Sequence, residues 1–264
     1  YAGGTPESNH ELMLRAYIKK HGITGQDLEK LNIALAQVSV KNHANATKNK
    51  YAQYQRKITV DQGINARKSA HKPLGLYDFA PISDGASAII LTSETVANKM
   101  TNRPVYVLAC GAATDYLNYP ARADLSRFLA AELAMKRASM MSKVSPIDLQ
   151  VIEVNDQSTV MEMVALEDLG FCPSGTAWKG IYESNLNNSV SYSMGGKEVY
   201  VNTDGGLNAD GNPLGATGGA QVFEVYRQLR GEAGATQVQR ARIGMAQNIG
   251  GSGATIITHI LKVR

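Results

Sequence analysis

The chain has 264 residues, 44% of them hydrophobic and 19% charged, with a formal net charge of +4. That balance fits a globular protein with a real core, in one large domain or two smaller ones. It carries no apolar run long enough to span a membrane and none of the basic–aromatic interleaving of a nucleic-acid groove. Its two cysteines, Cys110 and Cys172, are far apart, which argues against a disulfide framework or a cysteine zinc site and fits a reducing compartment.

The opening Tyr1-Ala2-Gly3-Gly4-Thr5-Pro6 lacks the charged region and apolar core of a signal peptide, and also lacks Met, so an amino-terminal part is expected to lie outside it. Residues 11–20 predict a helix closed by Gly22, and Thr24 starts a second one carrying Leu28, Leu31, Ile33, Leu35 and Val38. Residues 41–62 are polar and predict an excursion over the surface. Pro81-Ile82-Ser83-Asp84-Gly85-Ala86 turns into the apolar run Ala88-Ile89-Ile90-Leu91, which predicts a buried strand. Asn102-Arg103-Pro104 is a candidate domain boundary, followed by a strand over 104–112 and a helix from Leu125 to Met141. Ser145-Pro146 reads as a helix start, 149–154 as a strand, and Thr159 to Leu169 as a helix ended by Gly170. Residues 171–200 are loop-rich. A glycine-rich run from Gly205 to Gly218 opens a helix to about Arg230, and two strand-like runs close the chain around Gln247 to Gly253. Strands alternating with helices predict a layered α/β sheet.

Three polar segments flank predicted strands: Asn155 to Ser158, the loop around Asn212, and the loop around Gln247. Sites in α/β sheets gather at strand ends, but Asn and Gly there are also ordinary turn residues. The glycine loop at 205–218 permits close backbone approach by an anionic ligand at a helix start; it equally serves as a tight helix entry, and it matches neither a P-loop nor a dinucleotide fingerprint. Cys110, inside an apolar strand, reads as core, and Cys172 precedes a loop proline. None of the five histidines falls in the three polar segments; His43, in a polar stretch, is the one candidate to orient a loop or touch a ligand, though a histidine so placed usually does neither. The carboxylate pairs Glu153/Asp156 and Glu162/Glu167 read as flanking charges, and no metal constellation is seen.

Taken together, Val40-Lys41-Asn42-His43, Pro81 to Ala86, Glu167-Asp168-Leu169-Gly170, Gly205 to Gly218, Gln228 to Gly234 and Asn248 to Gly253 resemble the thiolase superfamily. The likeness is to archaeal acetoacetyl-CoA thiolases and sterol-carrier-protein-2 type thiolases, over the carboxyl-terminal two-thirds of such an enzyme. The resemblance implies a layered αβαβα fold with mixed sheets, without the amino-terminal part of the first half. Residues 1–75 would be the loop excursion over the CoA site, 76–103 the end of the first half, and 104–264 the second half. It further implies a cytoplasmic homodimer or tetramer with no covalently bound cofactor, taking coenzyme A and acyl-CoA as substrate or ligand, with an OB-fold or thiolase-like subunit as a possible partner.

The departures bear on chemistry. Such thiolases carry His-Asp-Cys-Phe where this chain has Asn155-Asp156-Gln157-Ser158, Gly-His-Pro where it has Gly211-Asn212-Pro213, and His-Asn-x-Gly where it has Gln247-Asn248-Ile249-Gly250. The family's nucleophilic cysteine belongs to the part before the matched region. By the resemblance Asn155, Asn212 and Gln247 take the catalytic positions, and His43, Ser83, Gly215, Gly250, Gly251 and Gly253 shape the thioester site. An amide can donate to an oxyanion but cannot exchange a proton near neutral pH, so oxyanion stabilisation survives at these positions and acid–base catalysis does not. Two expectations follow: an acyltransferase acting on 3-oxoacyl-CoA with altered catalysis, or a degenerate homologue that binds acyl-CoA or scaffolds a complex.

Overall fold

The computed structural model describes residues 4–184, 191–194 and 196–263. Helix α1 (Pro6–Lys20) begins at a reciprocal cap, in which Thr5 and Ser8 each accept the other's backbone N–H, and Pro6 fills a first-turn position that needs no donor. α2 (Gly25–Ala46) follows Thr24, and α3 (Val60–Ala70) starts from a second such cap, Thr59 with Gln62. The chain then runs without a strand ladder over 79–93, touching other segments at Phe79–Ser158 and Ile82–Asn212, before α4 (Glu94–Met100).

One mixed sheet forms among the described residues. Its strands are β1 (Val105–Thr114), β2 (Val151–Glu153), β3 (Ser191–Met194), β4 (Lys197–Val201), β5 (Ile243–Gly250) and β6 (Thr255–Val263), in the order β1-β6-β5-β2-β4-β3. β2 lies parallel to β4 and β5, and the other pairs are antiparallel. Parallel neighbours need long crossovers. α6 (Thr159–Asp168) and α7 (Ala177–Glu183) lie between β2 and the β3–β4 hairpin, while α8 (Gly206–Ala209) and α9 (Thr217–Arg230) lie between β4 and β5. α5 (Leu129–Ser142) joins β1 to β2.

Alternate strand residues serve opposite faces, as a pleated sheet requires. Ile152, Met245, Ile249, Ile256 and Ile260 join the larger core with α1, α2, α5, α6 and α7, whereas Val151, Ala246, Leu261 and Val263 pack on Val225 and Leu229 of α9. Two glycines set the closeness of these layers. A Cβ on Gly111 would lie 2.0 Å from Ala134 O of α5, and one on Gly244 would lie 2.6 Å from Val225 of α9.

Several expectations are corrected. Residues 88–91 join no ladder, and Ile90 is 92% exposed: no described strand pairs with them. Residues 41–46 are not a surface excursion but the buried end of α2. Cys110 points outward from edge strand β1. Glu153, Asp156 and Glu162 are fully buried rather than flanking charges. The helix expected from Leu125 begins at Leu129, because Asp124 takes the backbone N–H and hydroxyl of Ser126, and Asp168 takes the N–H of Phe128. The loop-rich stretch 171–200 contains α7 and the β3–β4 hairpin, and its residues 185–190 and 195 lie outside the described ones.

Candidate functional site

α2 continues its buried stripe, Leu31, Leu35 and Val38, into Asn42 and Asn45 at the same helical spacing, with Lys41 buried beside it. Lys41 Nζ lies 2.9 Å from Glu162 Oε1 and donates to Val201 O at 2.6 Å, with the Tyr192 ring 4.9 Å away. Asn42 Nδ2 is shared by Asp156 Oδ2 and Glu162 Oε2, each at 2.9 Å. Glu162 also accepts from Asn202 Nδ2 at 2.8 Å and from the Tyr192 hydroxyl. Asp156 accepts the backbone N–H groups of Leu207 at 2.7 Å and Asn208 at 3.2 Å. Burial, then the Glu162 charge, hold the Asp156 carboxyl well above its usual range. This network ties α2, α6, the end of β4 and α8 together beneath Asn155.

Asn155 and Gln247 meet. The Asn155 N–H donates to Gln247 Oε1 at 3.3 Å, and both side chains are buried. A backbone N–H can only donate, so the Gln247 oxygen faces it and Nε2 is turned away as a donor. Gln247 Nε2, Asn155 Oδ1 and Oγ1 of Thr258, which pairs with Gln247 across the β5–β6 ladder, have no protein partner. Asn212 is held elsewhere: its N–H donates to Ser83 Oγ at 3.0 Å, Ser83 donates to Gln53 Oε1 at 2.6 Å, and Asn212 Oδ1 accepts from Thr217 at 3.0 Å. Gly211, at φ +129°, makes room, since a Cβ there would meet Ser83 Oγ at 2.7 Å. The first turns of α9 join the two clusters. Thr217 holds Asn212, and Gln221 bonds both Gln247 O and the Asn248 side chain at 3.0 Å.

His43 lines a cavity of about 500 Å³ together with Tyr54, Arg56, Lys72, Tyr77 and Asn208. Its Nδ1 lies 3.0 Å from Arg56 O, which places the hydrogen on Nδ1 and leaves Nε2 as an acceptor. Burial depresses its pKa and keeps the ring neutral. Tyr54 stacks on it at 6.0 Å and Tyr77 meets it edge-on at 5.9 Å. None of Asn155, Asn212 and Gln247 lines this cavity, but segment 79–83 connects them. Phe79 forms its wall and bridges Ser158, the Ala80 N–H donates to Gln157 O at 3.0 Å, and Ser83 holds Asn212.

A second cavity, about 470 Å³, has Ser83 in its lining and is acidic: Glu153, Asp204, Asp210 and Glu224 line it with Arg227. Burial pushes Asp210 up to about 8 and Glu224 up to about 7, with Asp204 adding to both. Gly215 is exposed in a one-turn helix, with open space around it. Gly250 ends β5, and Gly251 and Gly253 lie in the β5–β6 turn, where a Cβ on Gly253 would strike the Phe128 ring at 2.3 Å; none of the three lines either cavity. Burial drives the Cys172 thiol up to about 12, so it is no poised nucleophile. The sequence marks Lys41 and Asn42 only as part of a family segment and Glu162 only as a flanking charge; the unbroken helical spacing from Leu31 to Asn45 is the signal that marks Asn42 as buried.

Residues 111–263 match the sequence model of the family described as Thiolase C-terminal domain-like. Acetyl-CoA acetyltransferase of Methanothermobacter thermautotrophicus is 41% identical over 258 residues, covering 98% of this chain and 63% of the relative. Sterol carrier protein 2 of Gallus gallus is 36% identical over 228 residues, covering 84% of this chain and 40% of the relative. The chain thus spans under two-thirds of these relatives. The solved "Ltp2-ChsH2(DUF35) aldolase" superposes at a TM-score of 0.81 with 22% identity, over 99% of this chain and 64% of that one, a likeness of fold. Among the described residues no helix is long and apolar enough to cross a membrane, and no cluster of three or more His, Cys, Asp or Glu could hold a metal ion.

Proposed function

The chain belongs to the thiolase superfamily, and on that premise we propose that it handles CoA thioesters, as an acyltransferase acting on 3-oxoacyl-CoA. The observation that carries this reading is the cavity of about 500 Å³ behind His43, whose lining sets Arg56 and Lys72, the latter 3.8 Å from Glu11, against one carboxylate, Glu7, with an aromatic wall for the arm of an anionic ligand. In thiolysis the C2–C3 bond of a 3-oxoacyl-CoA breaks. The acyl group passes to the sulfur of a second CoA, and C2 takes a proton to leave acetyl-CoA. Negative charge builds on the thioester oxygen as that bond breaks. Either Gln247 Nε2, a buried donor without a protein partner, or Nδ2 of Asn212, whose oxygen is taken by Thr217, suits that oxyanion. None of these amides moves a proton, and each missing acid or base costs roughly a hundredfold to ten-thousandfold.

That same substitution favours a second reading: a degenerate homologue that binds acyl-CoA, or pairs with an active thiolase-like or OB-fold subunit. Intact-mass analysis of the full-length protein, alone and with acetyl-CoA or acetoacetyl-CoA, separates the two. Catalysis predicts an acyl mass increment that prior thiol alkylation abolishes. A protein that melts at a higher temperature with CoA, yet gains no acyl mass, supports binding without covalent transfer. No mass gain and no thermal shift would sink the thioester reading altogether.

A further inference from the structure

The acidic cavity gathers its carboxyls into one hydrogen-bonded web. Glu153, which ends β2, accepts both the N–H of Thr203 at 3.0 Å and its hydroxyl at 3.2 Å through a single oxygen, Oε1. Thr203 in turn accepts from Gln228 Nε2 at 2.9 Å, and the same nitrogen lies 3.1 Å from Glu224 Oε1. Asp204 Oδ1 accepts the Gly206 N–H at 2.7 Å, and its carboxyl is within hydrogen-bonding reach of Glu153. Asn49 Nδ2 bridges Asp204 O at 3.1 Å and Asp210 Oδ1 at 2.8 Å. Asp204 is the common neighbour, whose charge acts on Glu153, Asp210 and Glu224 alike.

Opposing charge is scarce. Among the lining residues Arg227 is the one cation, and it pairs with Glu224 Oε2 at 3.0 Å. Lys41 acts on Asp204 from α2 but is already 2.9 Å from Glu162. Asp84 in the same lining, and Asp156, which acts on Asp210, add further negative charge. Two buried carboxyls in hydrogen-bonding reach hold together only while a proton lies between them. The web also positions Asn212. Asp210 O accepts the Gln53 N–H at 3.0 Å, Gln53 accepts from Ser83, and Ser83 accepts the Asn212 N–H.

We propose that this cavity is a pH-sensitive lock on Asn212: the carboxyls around Asp204 clamp residues 203–212 onto β2 and Asn49 while they share protons, and release them when the protons are lost. Burial raises all four carboxyls, Glu224 to about 7 and Asp210 to about 8. Stability from a raised carboxyl is present below its unfolded pKa and is lost as pH climbs through the folded value, so the lock opens between about pH 6 and about pH 9. It acts on the site whatever the ligand, and so stands apart from the thioester reading.

The test is hydrogen–deuterium exchange of the full-length protein at about pH 6 and about pH 9, corrected for the intrinsic rate at each pH. In the wild type the N–H groups of residues 203–212 should lose roughly tenfold or more of their protection across that range, while those of the β5–β6 ladder stay within about twofold. Asp204→Asn removes the charge common to the cluster, and its amide donates to Glu153 without a shared proton. The variant should therefore keep the segment closed, with protection within about twofold at the two pH values. Glu153→Gln, which donates to Asp204 in the same way, is prepared in case the first variant does not fold. No loss of protection in the wild type, or the same loss in wild type and variant, would overturn the lock. So would an equal loss in the β5–β6 ladder, which would mean that pH acts on the whole fold and not on this segment.

Discussion

Buried charge is concentrated at a few side chains, and each carries a measurable consequence. Glu224 sits against Asp204 in the acidic cavity, and burial raises its pKa from 4.5 to about 7. A carboxyl whose folded pKa is raised contributes full stability below its unfolded pKa and loses it as pH climbs through the folded value. Glu224→Gln should therefore raise the melting temperature at pH 8, by roughly 1–3 kcal/mol of stability after the lost pairing with Arg227, and change little at pH 4. Scanning fluorimetry at the two pH values checks it; an equal effect at both would contradict the shift. Lys41 presents the opposite case, a buried cation with one carboxylate at 2.9 Å. Lys41→Met leaves Glu162 buried and unpaired and should cost about 3–5 kcal/mol, much of it recovered when Glu162→Gln is added. Urea denaturation of the single and double variants measures the difference.

Packing between layers explains which elements could be read in advance. α1, α2, α6, α9 and the paired strands β5 and β6 announce themselves through helical or alternating apolar spacing, caps and closing glycines. The polar end of α2 did not, because polarity was equated with exposure. Lys41, Asn42 and Asn45 are buried through partners more than 100 residues away, which no local pattern records. Residues 88–91 failed in the opposite sense, since an apolar run is buried only where something covers it. Motif likeness located Asn155 and Gln247, which meet through the Asn155 N–H, but not the long-range partners that hold the loop after Asn155 in place. The contact of α5 on β1 admits a sharp test. Gly111→Val should overpack that contact, where even a Cβ would lie 2.0 Å from Ala134 O, and cost at least about 1–3 kcal/mol. Ala112→Val, on the exposed face of the same strand, should stay within about 0.5 kcal/mol. Equal urea midpoints for the two would rule out the close contact.

Among the described residues, the segment outside helix and ladder that carries Ile90 and Leu91, 92% and 78% exposed, is a conspicuous apolar surface. No charge interrupts it between Asp84 and Glu94. An uncharged, apolar run that joins no ladder, as at 88–91, recruits other strands. A double variant, Ile90→Lys with Leu91→Lys, should reduce self-association of the 264-residue chain in light scattering. Unchanged association would locate the sticky surface elsewhere. The long reach of α2 has a further effect, on the birth of the molecule. Lys41 bonds a carbonyl 160 residues downstream. At roughly 5–20 residues per second, a ribosome makes that lysine about 8–30 s before its partner exists. Until then the second half of α2 has to stay hydrated, so the amino-terminal helices emerge with their polar stripe unspent and wait for the far end of the chain to complete them.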